Sequence, residues 1–343
     1  MQGESLDSAV VRPANVCRMS RAAARLATTV LVSLFAVLVS NGVALAHAGG
    51  LTSSSNEPVI LRLAPAVSGL TVTVVEYGAR LRLDNHTASR VTVLPPPGSV
   101  INALPVVDPG GSALWSDPRI VAAAGRPKPP DARLDWSIPL RVGENPVALV
   151  GEQRWPAPPT AGLWWLLTAS AVVLPAGLVA LGSRLHRRPR NLATHPAESS
   201  DSRAQRGVGR GVVAVATAVV MGAHVVHMYG SSLVVAQGSL AMVFLAAAGF
   251  AVAGWPIGLT GAWLTLRDRP AGPLLCCVAG ALLAIIIAPA DVFSFHDAVI
   301  PFAWNPDLDR LLIALTVGGG LGVVGGSWLL MRRSVAPATV GGS

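Results

Sequence analysis

Apolar positions in this chain follow two regimes. Between about residues 57 and 150 they alternate with polar ones over short runs, and beyond residue 160 they form unbroken blocks. In the first regime the clearest runs are Val59 to Leu63, Leu70 to Val75, Leu81 to Leu83, Val91 to Leu94 and Val147 to Val150. Alternation of this kind predicts half-buried strands. The breakers Pro95-Pro96-Pro97-Gly98, Asp108-Pro109-Gly110-Gly111 and Pro127-Lys128-Pro129-Pro130 separate the runs. Short strands spaced by turn residues predict an all-β, Ig-like sandwich over residues 49–158. Trp115, Trp136 and Trp155 are expected at its core or rim.

In the second regime, Ala161 to Gly182 is apolar and long enough to cross a bilayer. Arg184, Arg187, Arg188 and Arg190 follow it, in a basic linker over 183–210. Residues 211–333 predict a four-helix transmembrane bundle: Gly211 to Tyr229, Ser239 to Leu266 with a kink at Trp255-Pro256, Pro273 to Ala290, and Leu311 to Met331. An outer loop spans Asp291 to Arg310, and 334–343 form a tail. Arginines gather at alternate span ends, at Arg267, Arg269, Arg332 and Arg333 among others. The positive-inside rule then puts linker and tail in the cytoplasm and the β domain outside the plasma membrane.

An earlier apolar run, Leu26 to Ala44, follows Arg18, Arg21 and Arg25 and ends in Ala44-Leu45-Ala46-His47-Ala48. Basic start, short apolar core and small residues at the end predict a signal peptide over 1–48, with residues 1–18 as an overhang before Met19. Cleavage after Ala48 leaves Gly49 first. Cleavage after Ala46 exposes His47, whose amine and imidazole form a chelating pair suited to copper. His47 is equally explained as a residue of the cleavage motif.

Composition narrows the function classes. The chain is 52% hydrophobic and 13% charged, with net charge +8. The positive charge lies beside the spans, so the lipid bilayer, and not nucleic acid, is the expected partner. The β region has no cysteine, which excludes a disulfide framework. Cys276 and Cys277 sit inside an apolar run and read as packing residues. No Gly-x-Ser-x-Gly elbow, phosphate loop or His-Glu-x-x-His is present. A non-catalytic protein is expected.

The candidate chemistry lies on the second span. At ~100° per residue, Met221, His224 and Met228 share one arc, with His227 beside it. Imidazoles in a span face the bundle interior or water. His296, beyond the third apolar block of the bundle, has a similar predicted depth. Thioether with imidazole is a copper-type ligand set, and two histidines on different helices also suit a haem. Hydrogen bonding within the bundle explains the same residues without a ligand. Gly318, Gly322 and Gly326 recur every four residues and permit close approach of another helix, within the chain or in a homo-oligomer.

Several segments together carry a family likeness: His47-Ala48-Gly49-Gly50, Pro65-Ala66-Val67-Ser68-Gly69-Leu70, Arg80-Leu81-Arg82-Leu83-Asp84-Asn85 and Trp136-Ser137-Ile138-Pro139-Leu140. In these the chain resembles a family of uncharacterised actinobacterial membrane proteins with an exported β domain. The resemblance implies a sheet scaffold and names no reaction. In its order of parts the chain is also similar to copper-resistance proteins, which join an exported sandwich to a multi-pass partner, although their dense Met and His motifs are missing here. Two function classes therefore stand: handling or sensing copper at the outer face, and anchoring a sandwich that binds an envelope protein partner. A haem-bearing electron-transfer protein is a third.

Overall fold

Alternation in the first regime becomes two antiparallel sheets. The structure, a computed structural model, describes residues 51–98, 104–185 and 200–334. The expected signal peptide with His47, most of the basic linker and the tail lie outside the described residues. One sheet has the order β1 (Glu57–Ala64), β8 (Asn145–Arg154), β7 (Arg133–Val142), β4 (Val91–Val93), β5 (Val106–Val107). The other has the order β2 (Leu70–Val75), β3 (Arg80–Asn85), β6 (Ser112–Trp115). One apolar cluster draws on both, with Leu81 and Leu83 of β3 meeting Val91, Ile138, Leu140 and Leu149. Trp115, Trp136 and Trp155 are all buried, as expected. Asn85 of the Asn85-His86-Thr87 sequon is also buried, and its amide donates to the Ser89 and Val107 carbonyls. A glycan has no access there.

A short helix, α1 (Pro118–Ala124), follows β6 and is capped by Asp117, whose side chain accepts from the Arg119 amide. The apolar blocks form α2 (Ala161–Leu185), α3 (Ser200–Ser232), α4 (Leu240–Ala248), α5 (Ala251–Leu266), α6 (Ala271–Ala281) and α7 (Pro306–Ser334). Four segments, 161–182, 207–232, 271–295 and 306–332, are long and apolar enough to cross a membrane. The pair α4 and α5, bent by 73°, supplies a fifth if it counts as one crossing. The chain is a membrane protein with an N-terminal sheet region.

Three expectations need correction. The bend falls at Gly249 rather than at Trp255-Pro256, because Gly249 takes φ 47° and ψ −123°, a conformation side chains disfavour. Pro256 lies inside α5. The fourth apolar block is not one regular helix: α6 runs on as a π-helical segment, Leu282–Ile287, and then a 3-10 segment, Ala288–Phe295. Finally, α3 begins at Ser200, inside the predicted linker, where Arg203, Ala204, Gln205 and Arg206 favour helix.

The glycine stripe of α7 is filled by the chain's own α2. A Cβ on Gly318 would lie 2.2 Å from the Thr168 carbonyl oxygen, and one on Gly322 2.7 Å from that of Ala171. Gly222, by contrast, has nothing within 4 Å of its Cβ position. Gly318→Ala is therefore expected to lower stability, by about 1–3 kcal/mol for overpacking. Gly222→Ala should raise it slightly through helix propensity. Thermal unfolding of the two variants in detergent checks the opposite signs.

Candidate functional site

α3 sets the site, because its apolar face turns Met221, His224, His227 and Met228 all inward, none more than 2% exposed. His224 Nδ1 accepts a hydrogen bond of 3.2 Å from the indole N–H of Trp255 on α5. Nδ1 is thus the acceptor, and the ring proton belongs on Nε2. That Nε2 is buried and has no hydrogen-bond partner among the described residues. Met221 packs where a Gly258 side chain would stand: a Cβ there would be 2.7 Å from its sulfur. A glycine on α5 is what lets this thioether sit between the helices.

His227 is held differently. Its Nδ1 lies 2.6 Å from Asp309 Oδ1, and its Nε2 lies 3.5 Å from Asp291 Oδ2. Both carboxylates are buried. Asp309 sits in the first turn of α7, where the helix dipole favours a negative charge. Asp291 reaches His227 from the 3-10 segment that ends the fourth block. π-Helical and 3-10 insertions of this sort cluster at functional positions in helices. Phe302 covers the other side of the ring, stacked at 19° with centroids 6.3 Å apart.

The next residue, Arg310, is also buried and fully engaged. Its Nε donates to the Ser294 carbonyl, Nη2 to the Asp297 carbonyl and Nη1 to the Asp307 carboxylate. It ties the start of α7 to the segment carrying Asp291. Asp309, Arg310, Phe302 and Trp255 were not candidates from sequence. Asp309 and Arg310 fell in the predicted outer loop, where an acid reads as solvated.

His296 is not brought to this cluster, which corrects its expected place as a further ligand. It is exposed, and its Nε2 accepts from the Trp165 indole of α2 at 3.3 Å. The 3-10 turn ending at Phe295 swings it toward α2. No histidine of a second helix joins His224 and His227 among the described residues, so the expected two-helix haem pair is not assembled there. Nor do three or more His, Cys, Asp or Glu side chains group to hold a metal ion among those residues. The copper-type donors buried along this face of α3 are one imidazole and two thioethers. His86, the other histidine of the β domain, is exposed on its surface. Cys276 is buried beside Thr265 and serves packing.

At the opposite end of the bundle, Arg267 lies over Trp263 and Arg332 over Trp328, at 5.5 and 4.4 Å. Arg210 pairs with Asp268 there. No family model matches this chain, and no curated protein or solved structure matches it.

Proposed function

We propose that this is a non-catalytic protein of the plasma membrane that handles or senses a cation, copper foremost, at the outer face. Its sheet region is read as an Ig-like sandwich standing outside. The arginines stacked on tryptophans at the far end of the bundle support that orientation, since an excess of basic residues marks the cytoplasmic side and tryptophan marks a membrane interface. The carrying observation is His224: a fully buried imidazole whose Nε2 has no hydrogen-bond partner among the described residues, on one arc with two buried thioethers. It can ligate through Nε2 once its ring proton moves to Nδ1 and the Trp255 indole is released. Imidazole and thioether form a soft donor set that suits Cu(I).

Electrostatics favour the same place. Two carboxylates, Asp291 and Asp309, flank His227 while Asp307 pairs with Arg310, so acidic groups outnumber basic ones around the cluster. The His224 and His227 rings are 6.2 Å apart. His227 itself, facing carboxylates at both nitrogens, acts as the bridge to them and not as a copper ligand.

The test is metal retained by the purified full-length protein after Cu(I) loading and desalting, measured by mass spectrometry. About one copper per chain is expected, with His224→Ala abolishing retention and Met228→Leu weakening it. Retention unchanged by His224→Ala would remove the reading.

A further inference from the structure

The β domain does more than stand beside the bundle. The residues between the 3-10 segment and α7, 297–303, form a strap lying directly over the buried cluster. From below, Arg310 Nη2 donates to the Asp297 carbonyl, and the Ala303 amide donates to the Gly230 carbonyl of α3. The Phe302 ring sits in the notch that Gly230 leaves, since a Cβ there would be 2.1 Å from Phe302 Cε2. The opposite flank of that ring lies against His227.

From above, the β domain grips the same strap at two places. Ser53 Oγ donates to Asp297 Oδ2 at 2.6 Å, and the Ser54 and Val299 backbones exchange two hydrogen bonds of 2.9 Å. Tyr77 Oη donates to the Phe302 carbonyl at 2.5 Å. Beside it Glu76 Oε1 accepts from the Ala236 amide, just past the end of α3. Glu76 and Tyr77 are consecutive non-glycine residues with φ of 53° and 55°. L side chains rarely adopt that conformation, and strained turns held by their contacts recur at clamps and switches. Burial, with the charge of Glu57 adding to it, lifts the Tyr77 phenol above its ordinary value. The phenol stays protonated, and a donor, across the physiological range.

We propose that the β domain is a cap, its Glu76–Tyr77 turn and Ser53 holding the 297–303 strap closed over His224 and His227 so that loosening this hold opens the cluster to the outside. The inference rests on the cation-binding reading for what enters, and on geometry alone for the closure. Nothing else need move far: release of the Phe302 carbonyl frees the ring from Gly230 and uncovers His227. The β domain then sets the rate of entry and exit, while the donors on α3 set the affinity.

Two single variants test it in the full-length protein in lipid nanodiscs. Tyr77→Phe removes one grip, and Ser53→Ala takes the side-chain hydrogen bond from the other while the Ser54–Val299 backbone pair stays. Hydrogen exchange of the peptides covering 297–303 and 224–232 is measured, with the rate of Cu(I) uptake from a chelator. Each variant should exchange about five- to tenfold faster in these peptides, the effect of losing one hydrogen bond on a local opening. Copper uptake should quicken by a similar factor with the amount retained unchanged. Wild-type exchange in both variants would overturn the cap. Faster exchange in protein that retains no copper would overturn the copper reading and leave the cap standing. Faster exchange with unchanged uptake would show that entry bypasses the strap, and the cap would fall.

Discussion

Asp309→Ala should destabilise the protein by about 3–5 kcal/mol, the usual cost of removing one partner from a buried ion pair. Asp309 Oδ1 lies 2.6 Å from His227 Nδ1, with both side chains 2% exposed or less. Truncation leaves His227 with Asp291 at 3.5 Å and a void at the start of α7. Arg310 next to it is already committed to Ser294, Asp297 and Asp307 and does not take its place. Asp307 is the internal control. Its carboxylate is 65% exposed, and the buried Arg310 it pairs with keeps the Ser294 and Asp297 carbonyls, so Asp307→Ala should cost less, about 1–3 kcal/mol for one charged hydrogen bond. Chemical unfolding of both variants in detergent, followed by tryptophan fluorescence, compares two acids two residues apart. Equal midpoints would mean that His227 and Asp309 do not form a buried pair.

The same region shows where sequence reading stops. Helices at 161–182 and 306–332 were legible, because length and unbroken apolar composition are enough to call for a span. The burial of Met221, His224, His227 and Met228 also followed from spacing, since 3.6-residue periodicity puts them near one face. Their partners did not follow. Which carboxylate meets His227 depends on the register between α3, the 3-10 segment and the first turn of α7, a tertiary fact with no local signature. The π-helical stretch Leu282–Ile287 is equally silent, because Leu, Ala and Ile have the same hydropathy in either kind of helix.

In the β region the strands at 70–75 and 81–83 were plain from alternation. β7 is not among the clearest alternating runs, and only its Trp136 to Leu140 stretch enters through the family likeness, although Arg133 to Val142 alternates between outward and inward residues. Pro139 argues against a strand with neighbours on both sides. Here β4 stops at Val93, and at that position the sheet asks only for an acceptor: the Leu94 amide donates to the Pro139 carbonyl. The proline falls where its missing N–H is not required.

Asp117→Ala is expected to be the most damaging substitution in the β region. That region has no disulfide, so packing and buried polar contacts must hold it. Asp117 is 2% exposed and joins three elements. Its Oδ2 accepts from the Trp115 indole on β6, and its Oδ1 accepts from the Arg119 amide as the cap of α1. Both oxygens also meet the Arg119 guanidinium, which reaches on to the Leu94 carbonyl beyond β4. Alanine removes a helix cap worth about 1 kcal/mol and leaves a largely buried guanidinium without its counter-charge. The pair dominates, at about 3–5 kcal/mol. Asp117→Asn keeps one oxygen, enough for the cap or the indole but not both, and loses the charge, so it should fall between wild type and alanine. Hydrogen exchange over 112–124 in the full-length protein reads this directly. Alanine should erase protection in β6 and α1 while that of α3 and α7 persists, because none of the contacts of Asp117 reach the bundle. Loss of protection in the bundle as well would mean that the β region and the helices unfold as one unit.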